Sequence, residues 1–484
     1  MRSINRREFL QDSAALAAAL AAAGGVDSHL QAAEKTKTAK KKSAGDQLHV
    51  AVIGVHGRGR EHVAKFAGHP ETVVATICDA DTAVIGPAMR TAEKVQGKPP
   101  KFEQDLRRVL DDKSIDVVTI AMPNHWHSLA AIWAMQAGKD VYVEKPVSHN
   151  VTEGRRLVET ARKCGRICQA GTQYRSSGAM KEAIEFMRAG KLGHIQVSRG
   201  LCYKPRGSIG KAEGEQKIPS TVDYDLWCGP APKKPLARKR LHYDWHWTWD
   251  YGNGDLGNQG VHEMDLARWA LGKEGLCKSV ISVGGRFGYV DDGETANTQI
   301  CVYDFGDCEL IFEVRGLPTK DLLGAKIGNI FYGTEGYIVR AKGVTAFDPK
   351  GNVIKNFTGH GVDHFDNFVQ AVHSRRQESL NADVLEGHLS SALCHLGNIS
   401  YRLGALQPFS KGSRAFGDDK EAYETFRRME EHLKGNNVPL DQTSYHVGPK
   451  LAFDSKTETF VNDPEADKYL TRKYRAPFTV PEKA

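Results

Sequence analysis

The sequence predicts an α/β protein of two domains, an N-terminal doubly wound parallel sheet followed by an α/β domain built on a largely antiparallel open sheet. Three observations carry that prediction. From Leu48 onward, short apolar runs alternate with helix-length segments; after Thr172, strand-like runs follow one another without helical spacers; and the first apolar run breaks into glycines at Gly54, Gly57 and Gly59. Apolar runs without polar alternation are strands buried on both faces, which requires crossover helices and a parallel sheet. Strands without such spacers pair antiparallel. A chain of 484 residues suits two domains with extensions.

Residues 1–33 open on Arg6-Arg7-Glu8-Phe9-Leu10 and continue into an alanine-rich, mildly apolar run. A twin arginine before a weak apolar segment predicts a signal for the route that exports folded proteins, and hence a periplasmic or other extracytoplasmic location. The competing reading is an amphipathic helix with a basic start. The run is too short and too rich in small residues for a stable membrane span. Residues 34–46, "EKTKTAKKKSAGD", read as a linker. The net charge of +7 is concentrated here: residues 1–42 hold eight Lys or Arg against four Asp or Glu, leaving +3 for the rest. That balance excludes a nucleic-acid footprint. Nine scattered cysteines make neither a disulfide framework nor a zinc pattern and are expected to be reduced and buried.

Within residues 48–172 the strands are "LHVAVI", "TVVATICD", "IDVVTIAM", "DVYVE" and "RICQA", separated by helices such as Thr152 to Cys164. Residues 173–405 start with a helix near Ser177 to Ala189 and continue through "HIQVSRGLCY", "KSVISVGGRFGYV", "TANTQICVYDF" and "CELIFEVRG". A long insertion rich in Gly, Trp and Pro, Gly207 to Gly260, interrupts them, and loops of that length are functional or span an interface. The helices "HFDNFVQAVHS" and Leu385 to Leu403 follow. Residues 406–484 are expected to pack back on the second domain.

Gly54 and Gly59 occupy the outer places of a G-x-G-x-x-G dinucleotide loop; His56 replaces the middle glycine, and Gly57, one residue later, offers the close backbone approach instead. Asp79 ends the second strand twenty residues beyond Gly59, where a carboxylate binds ribose hydroxyls and repels a 2′-phosphate. The pattern predicts NAD in preference to NADP, on a Rossmann domain.

The strand exits "AMPNHWH" and "VEKPVS", taken in order with the glycine loop and "GNGDLGNQGVHEMDLARWAL", resemble the Gfo/Idh/MocA oxidoreductases, in particular a twin-arginine-exported branch with "VDYDLWCGPAP", "HYDWHWTWDYGNGD" and a tail ending "RAPFTVP". The resemblance implies a cleft between the two domains, with the family's lysine at Lys145 and its histidine at His262. It also implies cofactor contacts from Gly54, His56, Gly57, Arg58, Gly59, Asp79, Pro123, Asn124, His127, Glu144 and Lys145. Where dehydrogenases of the family place an aspartate four residues before the histidine, this chain has Asn258; Asp265 and Asp255 are candidates to substitute for it. A hydroxyl oxidation needs a base near neutral pKa and a cation to stabilise the alkoxide, and either Lys145 or His262 suits the first role.

Gln173, Tyr174 and Arg175 follow the sixth strand as candidate substrate contacts or hinge packing. Trp245, Trp247 and Trp249 alternate, so that an extended segment would put three indoles on one side for stacking on a sugar, or for a subunit interface. Asn258 and Asp265 complete the candidate substrate set. No metal-ligand spacing appears, although His125/His127 and His242/His246 are close in sequence. The functions expected are an exported sugar or polyol oxidoreductase, a redox-neutral glycoside-cleaving enzyme, or a nicotinamide-binding protein without turnover. The substrate is expected to be a carbohydrate and the assembly a homo-oligomer.

Overall fold

The computed structural model describes residues 47–411 and 414–483; the predicted export signal, residues 1–33, and linker, residues 34–46, lie outside them. The first sheet comprises β1 (Leu48–Ile53), β2 (Thr72–Cys78), β3 (Lys101–Glu103), β4 (Val117–Ile120), β5 (Asp140–Val143) and β6 (Cys168–Ala170). Their spatial order is β3-β2-β1-β4-β5-β6, and every pairing is parallel. The order reverses between β1 and β4, and a doubly wound sheet binds its ligand outside the carboxyl ends of the strands at that point. Helices α1 (Gly59–Gly68), α2 (Ile85–Gln96), α3 (Leu106–Asp111), α4 (His127–Gln136) and α5 (Val151–Cys164) are the crossovers. Local chemistry sets their ends: the Asn150 side chain accepts the Glu153 N–H to start α5, and Gly165, at φ +58°, stops it.

After α6 (Gly178–Arg188) comes the second sheet: β7 (Ile195–Cys202), β8 (Ser279–Gly285), β9 (Thr298–Asp304), β10 (Glu309–Arg315), β11 (Ile327–Gly333), β12 (Gly336–Arg340), β13 (Val344–Phe347), β14 (Val353–Phe357), β15 (Ala405–Pro408) and β16 (Ser444–Val447). Its order is β14-β13-β12-β11-β7-β10-β9-β8-β16-β15. Only β7 and β10 pair parallel along it. Helices α8 (Val261–Ala270) and α10 (Val384–Arg402) cover one face, burying Leu256, Met264, Tyr303, Phe312 and Leu393 in a common core. The helix α7 (Tyr224–Cys228) lies in the insertion, and α11 (Lys420–Gly435) covers the other face through Phe426 and Met429.

Two segments cross back to the first domain. Helix α9 (His364–Ser374) buries Phe365 and Phe368 against Phe66 and Tyr142. The tail does not stay on the second domain as expected: Phe478 and Val480 join the core around Trp126, with the Phe478 and Trp126 rings edge to face at 5.5 Å. The nine cysteines are free thiols, and no helix among the described residues is long and apolar enough to cross a membrane.

Candidate functional site

A cavity of about 660 Å³ opens at the carboxyl ends of β1, β2, β4 and β5, between the glycine loop and α8. Its floor depends on two glycines. A Cβ on Gly54, at φ +85°, would sit 2.7 Å from the Ala121 carbonyl oxygen, and one on Gly59 would sit 1.7 Å from the Gly54 oxygen. A Cβ on Gly57 would meet nothing within 4 Å, so backbone at the mouth of α1 faces open space. His56, in place of the middle glycine, stacks on His242 at 4.1 Å, and His242 Nε2 lies 2.8 Å from Asp81. Asp79 lines the cavity while its carboxylate accepts the N–H groups of Val55 (2.8 Å) and Asp81 (3.0 Å). Burial pushes its pKa up against those bonds. The glycine-only floor, the open helix start and the acid at the end of β2 fit a dinucleotide.

At the other end of the cavity, Glu144 and Lys145 leave β5 side by side. Glu144 accepts from Arg58 Nε (2.8 Å) and contacts His62 Nε2 (3.1 Å), while His62 Nδ1 pairs with Thr119. Burial would raise the Glu144 pKa, but His62, Arg58 and Lys145 together hold it below the carboxylate range. Lys145 donates to the backbone oxygen of Asn258 at 2.6 Å. That carbonyl belongs to the π-helical turn Leu256–Gly260, whose wider winding precedes α8. Burial lowers the Lys145 pKa, against the pull of Glu144 and Glu263.

His262, the second residue of α8, faces the same cavity, with Tyr174 edge-on at 5.6 Å. The Arg340 guanidinium lies 3.7 Å from the centre of the Tyr174 ring. His262 Nδ1 is buried and has no hydrogen-bond partner among the described residues. Burial, then the Lys145 charge, hold this imidazole well below its usual pKa. The geometry brings a neutral base and a cation to one space, which is what proton removal from a hydroxyl requires.

The cavity also gathers Pro123, Asn124, His127, Gln173, Tyr174 and Asn258. His127 lies between the Pro146 oxygen (2.6 Å) and the Met122 oxygen (2.7 Å). Three of the expected substrate contacts lie elsewhere. Arg175 and Asp265 are buried against each other, at 2.9 Å, and Ser390 also donates to Asp265. Asp265 therefore does not orient His262. Neither does Asp255, whose carboxylate is held by Arg206 at 2.6 Å. Trp249 is outside the cavity, its ring covered by Arg402. The three indoles do not share a side, because Asp244–Trp247 coils into a 3-10 turn; Trp245 alone of them reaches the cavity. Sequence reasoning missed His62 beneath Glu144, Lys204 after β7, and Tyr243 and His246 over the cavity. The dense "HYDWHW" run was the available signal for the last two. Among the described residues, no cluster of His, Cys, Asp or Glu is placed to hold a metal ion.

Two family models match the chain: "Oxidoreductase family, NAD-binding Rossmann fold" over residues 48–172 and "Oxidoreductase family, C-terminal alpha/beta domain" over residues 194–432. A glycosyl hydrolase family 109 protein of Shewanella pealeana is 30% identical over 208 residues, 40% of this chain and 44% of that protein. Levoglucosan dehydrogenase of Pseudarthrobacter phenanthrenivorans is 26% identical over 239 residues, 49% of this chain and 54% of the relative. The chain thus spans about half the length of the curated relatives it matches. A levoglucosan dehydrogenase structure in complex with NADH and levoglucosan superposes with a TM-score of 0.54 at 19% identity, over 72% of this chain and 97% of the other, a likeness of fold. With its Rossmann domain and its second sheet both matched, the chain belongs to the Gfo/Idh/MocA family of oxidoreductases.

Proposed function

We propose that the protein is an exported NAD-dependent oxidoreductase acting on a hydroxyl or keto group of a sugar, polyol or glycoside. The observation that carries this reading is the convergence of Lys145 and His262 on the cavity that also holds the glycine loop and Asp79. The Asp79 carboxylate, next to the glycine loop, supports NAD over NADP by repelling a 2′-phosphate. Gly54, Gly57 and Gly59 would receive the pyrophosphate, and Pro123, Asn124 and Glu144 would line the nicotinamide side. When bound, the nicotinamide supplies the hydride acceptor or donor. His262, held neutral, takes the hydroxyl proton, and Lys145, positioned by the Asn258 oxygen, donates to the same substrate oxygen as it gains negative charge. In the opposite direction the same two groups return the proton to a carbonyl oxygen. The Arg6-Arg7 pair supports export in the folded state, with the cofactor already seated.

The glycosyl hydrolase name of the Shewanella relative favours a second reading, in which a transient oxidation is reversed after a glycosidic bond is cut. Incubating the full chain with NAD and a panel of sugars and nitrophenyl glycosides separates the two. A keto-sugar with reduced nicotinamide is the expected product; nitrophenol released without net reduction would replace the first reading by the second. Neither product from any member would sink both.

A further inference from the structure

A second cavity, of about 270 Å³, lies behind the first, where the turn before α5, the insertion, α10 and the tail meet. Three cations line it: Arg402, Lys468 and Arg472. The Arg402 guanidinium is held between two rings, 4.9 Å from the Trp249 centre and 4.6 Å from that of Tyr469. It makes no hydrogen bond or ion pair with any described residue. Aromatic faces fix a guanidinium in place while leaving its N–H groups free to donate. Arg472 donates to the Asp250 backbone oxygen at 2.9 Å and approaches His149 Nδ1 at 3.2 Å, with no carboxylate of the described residues in ion-pair range.

The acids nearby are already engaged. Asp250 pairs with Lys234 at 2.7 Å, Glu465 with Lys468 at 2.5 Å, and Glu294 accepts the Trp249 N–H at 2.6 Å. Glu153, behind the wall, accepts the His149 N–H at 2.8 Å. The cavity wall also carries His395, 3% exposed, whose Nδ1 is buried without a partner among the described residues while Nε2 meets Ser148 at 3.1 Å. A buried ring nitrogen left without a partner can pair with a polar group of a ligand in the cavity. The wall toward the first cavity is an amide relay: Asn124 donates to the Asn253 side chain at 3.0 Å, and Asn253 donates to the His149 oxygen at 3.1 Å. The two spaces are therefore separate compartments with one partition.

We propose that this second cavity is a binding site for a small carboxylate ligand, its carboxylate paired by Arg402 and Arg472 and its body reaching the His395 imidazole. A guanidinium presents parallel donors that match the two oxygens of a carboxylate. At ~30 Å³ per water the cavity has room for roughly nine waters, enough for a monosaccharide acid and too little for a dinucleotide.

The test is isothermal titration of the full chain at fixed ionic strength with glucuronate, with glucose as the uncharged counterpart and inorganic phosphate as a second oxyanion. Glucuronate is expected to bind once per chain at a site from which excess glucose does not displace it. Arg402→Gln, at the cavity mouth, should weaken glucuronate at least tenfold with an unchanged circular dichroism spectrum, and Arg402→Lys should recover part of the loss. Lys145→Ala, in the first cavity, should leave glucuronate binding as it was. No heat from glucuronate, equal affinity in Arg402→Gln, or loss of binding in Lys145→Ala would overturn the assignment. Phosphate binding as tightly as glucuronate would overturn the carboxylate class.

Discussion

His262 has no carboxylate behind it, and that shapes how the reaction should depend on pH. An aspartate partner would raise the imidazole pKa; here burial and the Lys145 ammonium lower it, so the residue stays an unprotonated base across the neutral range. The acid limb of kcat/KM is expected below pH 6.5. Lys145, its own pKa lowered by burial from 10.5, should give an alkaline limb that arrives below pH 10.5, as the cation that stabilises the alkoxide is lost. Removing the base in His262→Ala should lower kcat by ~10²–10⁴ and erase the acid limb. Removing the cation in Lys145→Ala should lower kcat by ~10²–10³ and erase the alkaline one. Steady-state profiles of the two variants check this assignment. A rate that climbs through the lysine limb would make Lys145 the base and His262 its neighbour.

Among the elements, the tail ties the two domains together through one acid. Glu458 accepts from Arg155 on α5 at 2.5 Å and contacts His388 on α10 at 2.9 Å. Burial would raise its pKa, but these partners lower it to about 2. A carboxyl depressed by folding stabilises the fold above its unfolded pKa near 4.5 and loses that contribution as pH falls through the folded value. Glu458→Gln should therefore cost about 1.5–3 kcal/mol at neutral pH. Urea unfolding should show the gap to the unaltered chain narrowing between pH 4.5 and 2; a constant gap would deny Glu458 its charge. No sequence pattern announces this contact, because it joins residues 303 apart. What was legible was local. The apolar runs of β1, β2, β4, β5 and β6 marked the first sheet, the turns that end β1 and β2 exposed Gly54 and Asp79 as site residues, and the family resemblance of the turn after β5 singled out Lys145. What was not legible depended on partners distant in sequence: α9 returns to the first sheet through Phe365, and Asp265 turns from His262 to Arg175. The Trp245 to Trp249 stretch misled because alternation implies a strand only if the backbone is extended, and here it coils.

In the molecule as a whole, the insertion Gly207 to Gly260 roofs the first cavity. Its own small core, around Trp227, Leu236 and Tyr251, makes it a packed lid. His242 pins that lid to the glycine loop by stacking on His56, with Asp81 holding the far side of the ring. The Trp126 indole N–H fastens it again by donating to the Leu226 oxygen at 2.9 Å. With the His56–His242 stack joining lid and glycine loop at the cavity, release of a dinucleotide seated there is predicted to be slow compared with turnover. Under the export proposed above, retention would be a requirement as well, since no cytoplasmic pool would refill the site. Purified protein, denatured and assayed for nicotinamide in the supernatant, is expected to yield close to one NAD(H) per chain. His242→Ala should lower that yield and speed exchange of added NAD at least tenfold, with an unchanged circular dichroism spectrum. A ligand at 100 times its Kd stabilises by about 2.7 kcal/mol, so the loaded protein should also melt higher than the stripped one. Empty protein that binds NAD freely would keep the oxidoreductase and discard retention; empty protein that binds no nicotinamide would remove the cofactor from the cavity altogether.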